Sequence, residues 1–335
     1  MSALPPTPPL WKRTLSFWFS REPILHARWE LIMIRFVIGI LLWDVHTGWI
    51  GLWNDPVEAV TQMVTLDRQN DIKFQSQPHP NGFGYLIDFS FLSKDTIETP
   101  LRAATGISLL LFFLGVPAAY SLTLPVFFGI GSSTLINSQG AIGHIAQGLH
   151  LVMVSIWLAS WWSLFCRWKG RPFPGSLQTR GQVEMDWARQ GLMAAYVVSA
   201  ITKIMNSSGD WLSTARYFPL HLVKNNDMQF YNTLDPAMHK LDWLPQILME
   251  HPMVCMFFFG AALPLELFAF LGLYNRRIAV LFGIGLIAFH ESVTQLTNLS
   301  FIFNKLLLLF LFVNPAWWLV QAIGKVIKRP STTAV

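Results

Sequence analysis

The chain has 335 residues, 53% of them hydrophobic, 14% aromatic and only 13% charged, with a formal net charge of +5. A soluble domain carries about 25% charged residues, so this composition excludes an ordinary water-exposed surface and indicates a polytopic membrane protein. The basic residues gather at the ends of apolar runs, where they set topology rather than bind nucleic acid.

In chain order, residues 1–29 form a Pro-rich, aromatic segment. It lacks the basic start, short apolar core and small-residue cleavage site of a signal peptide, so it is expected to stay cytoplasmic. A span needs about 20 apolar residues. Runs of that kind predict an all-α bundle of about eight transmembrane helices, over 30–50, 103–119, 122–138, 145–165, 187–206, 252–273, 278–297 and 299–321. The membrane domain thus covers 30–322, and 323–335 is a cytoplasmic tail. The third run contains Gly129, Gly131, Ser132 and Ser133 and reads as a helix that is broken or re-entrant. Two long outer loops follow, 51–102 and 207–251. The second mixes Trp211, Tyr217, Phe218, Phe230, Tyr231 and Trp243 with polar residues, as helices lying in a headgroup layer do.

Lys and Arg test the orientation. Thirteen fall in the proposed cytoplasmic parts and seven in the longer outer loops. This positive-inside bias puts both termini in the cytoplasm and the protein in the cell (inner) membrane. Cys166 and Cys255 then lie at opposite ends of their helices and do not pair.

Three polar residues stand out in apolar runs: His144, Lys203 and His290. All three map to the outer half of the bundle, as do Asp44, His46 and Lys305. A lysine within a hydrocarbon-length run either snorkels to the headgroups or has a task. A membrane histidine either bonds a neighbouring helix or serves a site. Arg35, Arg189 and Glu266 fall toward the cytoplasmic half and read as an ion-pair group. His144 and His150 are six apart, unlike the i, i+4 pair of a helical zinc site, so no metal is expected.

These residues carry a resemblance. Arg35-Phe36 with Gly39 and Asp44, Gly143-His144, Arg189-Gln190 with Tyr196, Lys203 and Asp210-Trp211, Leu263-Pro264-Leu265-Glu266-Leu267, and Phe289-His290 with Leu296 follow one another in family order. Together, over about 30–320, they resemble the membrane domain of vitamin K-dependent gamma-glutamyl carboxylases and of their bacterial relatives, the HTTM (horizontally transferred transmembrane) proteins. The departures are Thr202 where the family has the first of two paired lysines, Gly143 where it has Asn, and the added Asn206-Ser207-Ser208. The carboxylases also carry a large luminal domain after the last span, whereas this chain reaches Val335 soon after span eight.

The resemblance implies a lyase-type carboxylase or epoxidase that uses a reduced quinone, a vitamin K-like hydroquinone, with oxygen and carbon dioxide as co-substrates. An amine in an apolar pocket sheds its proton more readily, because desolvation disfavours ammonium. Lys203 would take the quinol proton, and His144 and His290 would orient or stabilise the oxyanions. The reduced quinone would then react with oxygen to give a strong base, which deprotonates a carbon acid that captures carbon dioxide. Without the luminal domain, the substrate implied is small or lipid-like rather than a propeptide-guided protein. Two other classes fit the same sequence: a non-enzymatic quinone- or lipid-binding subunit and, with less behind it, a transporter, for which no inverted repeat is visible.

Overall fold

A computed structural model describes residue 9 and residues 16–47, 77–139, 145–174, 177–235, 243–297 and 299–327. Among these residues all regular structure is helical. The main helices are α1 (Arg28–Thr47), α2 (Asp95–Phe113), α3 (Ala118–Asn137), α4 (Gln147–Trp168), α5 (Arg180–Asn206), α6 (Phe218–Thr233), α7 (Trp243–Glu250), α8 (Pro252–Leu267), α9 (Arg276–Thr297), α10 (Ile302–Val313) and α11 (Pro315–Ile327). His144 and residues 51–76 of the first outer loop lie outside the described residues.

Local chemistry sets the helix ends. Thr179 and Gln182 form a reciprocal capping box at the start of α5, which satisfies backbone N–H groups that have no partner within the helix. Pro252 opens α8, where its missing N–H is not needed. Gly115, at φ +88°, turns the chain between α2 and α3.

Two expected spans are modified. The third is a helix interrupted only at Leu122, not a re-entrant loop. The eighth does not run through to 321. Its last turn, Leu309–Val313, widens into a π-helix, Asn314 adopts a left-handed conformation (φ 51°), and Pro315 starts α11. Proline cannot continue the hydrogen-bond ladder, so the chain restarts there.

The ends of the long helices gather at two poles. At one pole Arg35 of α1 donates to the carbonyls of Phe112 (2.9 Å) and Val116 and pairs with Glu184 of α5 at 3.6 Å. Asn275 donates to the Ser20 carbonyl at 3.0 Å. Asn314 donates to Glu30 at 3.0 Å. At the other pole Asn81 donates to the Asn137 carbonyl at 2.9 Å and Arg102 to that of His46 at 3.2 Å. These contacts put the starts of α1, α3, α5 and α9 and the ends of α2 and α10 at the first pole, and the ends of α1 and α3 at the second. Between them Ile34, Ile38, Leu42, Met153, Ile156, Leu192, Leu286, Phe303 and Leu307 form the core.

Within the described residues of the second expected loop, α6 and α7 are helical, as expected. α7 meets α8 at a bend of 96°. Ala215, Leu222, Leu248, Cys255 and Phe259 form a separate small core there. Phe218 packs on Phe259 with ring centroids 3.8 Å apart. Both cysteine thiols are free and buried.

Among the described residues three helices, α3, α4 and α9, are long and apolar enough to cross a membrane, or four if α7 and α8 count as one bent span. The other long helices carry more charge, as α5 does, or are shorter, as α10 is. The outward faces are apolar: Phe36, Ile107, Leu110, Leu114, Val198, Phe257, Leu281 and Ile284 are all exposed. Exposed apolar surface on this scale marks contact with something other than water.

Gly131 sits where α3 meets the turns before α2. A methyl group there would lie 2.7 Å from Leu92 Cδ1 and 2.9 Å from Phe89 Cδ1, both on buried side chains. Overpacking of this kind costs about 1–3 kcal/mol. Gly131→Ala should therefore lower the melting temperature of the detergent-solubilised protein. An unchanged melt would mean that the 82–93 turns yield freely.

Candidate functional site

Along α5, Arg189, Leu192, Met193, Tyr196 and Ala200 are buried at helical spacing, and Lys203 continues the same face two turns beyond Tyr196. The helix ends at Asn206. Ser208 (φ 53°) and Gly209 (φ 86°) then turn the chain left-handed, and the Gly209 N–H closes on the Ile204 carbonyl at 2.8 Å. The three residues Asn206-Ser207-Ser208 thus finish the helix and make the turn. The turn brings the Trp211 ring to 5.8 Å from Lys203 Nζ.

Lys203 is neither a free amine nor a simple snorkeller. Its ammonium donates to Glu266 of α8, whose side chain is only 4% exposed against 27% for Lys203. This corrects the expected grouping of Glu266 with Arg35 and Arg189. The first turns of α8 pack beyond the end of α5: an ideal Cβ on Gly260 would lie 2.5 Å from Leu212. That offset carries Glu266 level with Lys203. Arg35 instead pairs with Glu184 and lies over the Phe112 ring. Arg189, fully buried, donates to the Gly272 carbonyl at 2.8 Å and lies over Phe312.

His290 of α9 is buried, and its Nε2 shares a hydrogen bond of 2.7 Å with the Tyr196 hydroxyl. Its ring stacks on Phe301 at 4.6 Å, and its Nδ1 has no hydrogen-bond partner among the described residues. Two of the three expected site residues thus come to one face of α5: Lys203 lies on it, and His290 bonds Tyr196 two turns away. Tyr196 and Glu266 join them, and the sequence assigned neither to the site. A lone carboxylate in an apolar run needs a cationic partner, and that was the available signal for Glu266.

Other polar residues settle elsewhere. Lys305 pairs with the half-exposed Glu291 at 2.6 Å. His46 stacks on His150 at 5.5 Å, and His150 bonds Ser133 at 3.0 Å. Among the described residues the Nε2 atoms of His46 and His150, and both oxygens of the buried Asp44, have no hydrogen-bond partner. Among the described residues no group of three or more His, Cys, Asp or Glu is arranged to hold a metal.

The Lys203–Glu266 pair thus offers a movable proton, and the Tyr196–His290 bond a second one, beside two aromatic rings. Comparison with protein-family models, with curated proteins and with solved structures gives no match for this chain.

Proposed function

We propose that this chain is an eight-span membrane protein that activates a reduced quinone at the cluster of Lys203, Glu266, Tyr196 and His290. The observation that carries the reading is the part-buried Lys203–Glu266 pair lying two turns along one face of α5 from the buried Tyr196–His290 pair. The gathering of helix ends at two poles, the exposed apolar faces and the thirteen-to-seven division of Lys and Arg support the eight spans. The same division supports cytoplasmic termini and a site toward the outer face.

The residues fit a flat, two-hydroxyl ring. His290 Nδ1 is buried without a hydrogen-bond partner among the described residues, Phe301 is stacked beside it, and Lys203 retains some access. A reduced quinone bound here would supply electrons to oxygen. In the low-dielectric interior, passing one proton from the Lys203 ammonium to Glu266 leaves an uncharged amine and acid, which costs less desolvation than the ion pair. The free amine then accepts a hydroxyl proton. Tyr196 and His290 share a proton that can be offered to developing negative charge. The substrate carboxylated or oxidised downstream would be small or lipid-like, and His144 is proposed as a further oxyanion partner.

One observation favours a binding subunit instead: Lys203 is already held by Glu266, as a purely structural charge would be. Oxygen uptake separates the two readings. Purified protein given a short-tailed naphthoquinol should consume oxygen above the autoxidation rate, and His290→Ala should not. Quinol binding by the wild type without uptake would leave only the binding role.

Topology is checked by cysteine labelling, with background kept low by the two buried native thiols. An impermeant maleimide on intact cells should label Lys94→Cys but not Lys169→Cys. Both positions are exposed, so labelling of both, or of neither, would overturn the eight-span arrangement.

A further inference from the structure

Away from this cluster, the ends of α4 and α5 enclose a cleft of about 720 Å³. Arg167, Arg171 and Arg180 line it and, among the described residues, no carboxylate does. Arg180 is tied to Glu184 at 3.3 Å. Arg167 and Arg171 are exposed and, among the described residues, pair with no carboxylate; Arg171 only lies over the Phe165 ring, 6.0 Å away. Two guanidinium groups thus face a concave, acid-free wall without counterions. Phe165, over which Arg171 lies, belongs to an exposed aromatic strip of α4, its ring 5.7 Å from that of Trp162 and 6.3 Å from that of Trp168. Tryptophan in this setting marks the level where acyl chains meet headgroups, and basic pockets between helices at that level suit lipid phosphates.

We infer that this cleft binds the phosphate of an anionic phospholipid, with Arg167 and Arg171 on the headgroup and the acyl chains along the α4 tryptophans. The inference rests on the membrane reading above, but not on which face is cytoplasmic. A soluble phosphate offers the guanidinium groups the same oxygens, but leaves the tryptophan strip uncovered. The strip is what selects the lipid.

The test is native mass spectrometry of the full-length protein in detergent. It is titrated with dioctanoyl phosphatidylglycerol or dioctanoyl phosphatidylcholine, with inorganic phosphate as competitor. The wild type should prefer phosphatidylglycerol at least tenfold. Each surface arginine contributes about fivefold to an anionic lipid contact, so R167Q/R171Q should weaken phosphatidylglycerol binding about 30-fold and leave phosphatidylcholine binding alone. Both side chains are exposed, so the fold is not at stake, and an unchanged melt confirms that. Equal binding of the two lipids by the wild type overturns the proposal, as does a double variant with undiminished preference. Displacement of the lipid by an equal concentration of inorganic phosphate assigns the cleft to soluble anions and overturns the lipid reading. Because the titration is done in detergent, its failure leaves the labelling experiment, and with it the eight-span topology, untouched.

Discussion

Lys203→Arg is expected to reduce oxygen-dependent quinol oxidation about 10²–10⁴-fold, the usual contribution of a positioned general base. Arginine keeps the positive charge and can still bond Glu266, so the packing of α5 on α8 is preserved. It does not release a proton under any ordinary condition, so the pair loses its movable proton and keeps its charge. That separates chemistry from structure in one substitution. Lys203→Ala should lose activity to a similar degree. Added methylamine should then recover part of it, by entering the space beside Glu266. The measurement is oxygen uptake with a short-tailed naphthoquinol, wild type against both variants. Full activity in Lys203→Arg would show that the amine is only a counterion and that the base lies elsewhere.

The second large effect is on stability, and it revises what the sequence alone suggests. Alanine is well tolerated in helices, so Lys203→Ala reads at first as structurally mild. The structure places a 4%-exposed carboxylate opposite that lysine. Removing one member of a buried pair strands the other, at a cost of about 3–5 kcal/mol. Because Lys203 keeps partial access to its surroundings, a loss near the lower end, about 3 kcal/mol, is expected for Lys203→Met. The paired change Lys203→Met with Glu266→Gln should recover most of it, since no unpaired charge remains. Denaturation midpoints of the two single variants and the double variant in one detergent give the coupling. Strict additivity would mean that the two side chains do not depend on each other.

The reading of the fold from the sequence was good where apolar runs were uninterrupted. α4 occupies Gln147–Trp168 against an expected 145–165, and α9 Arg276–Thr297 against 278–297. Burial needs length and hydrophobicity, and both are visible in a linear string. Position along the bundle axis is not. Glu266 appeared too deep because nothing in the apolar run signals that α8 starts beyond the end of α5. The break at Asn314 was hidden because Pro315 lies in a run apolar enough to read as one span. At the site, Lys203 and His290 were legible as costly polar residues in apolar segments. Tyr196 was not, because a tyrosine in such a run is ordinary until a partner is seen.

The charges of α5 have a consequence for how the chain is made. Arg180, Glu184, Asp186, Arg189 and Lys203 all lie on one helix, and three of them meet their partners on other elements: Glu184 on α1, Arg189 at Gly272, Lys203 on α8. A charged residue near the centre of an isolated helix costs about 2.5–3.5 kcal/mol on insertion. In the eight-span arrangement α5 is therefore a poor candidate to leave the translocon by itself. Its neighbour is the remedy: α4 carries no charged residue over its central turns, and Gly191 lets the two backbones approach closely at Leu151 and Ser155. The unit that enters the bilayer is then the α4–α5 hairpin. Glu266, synthesised some sixty residues later, would find Lys203 already in place, so that the site closes only when α8 docks.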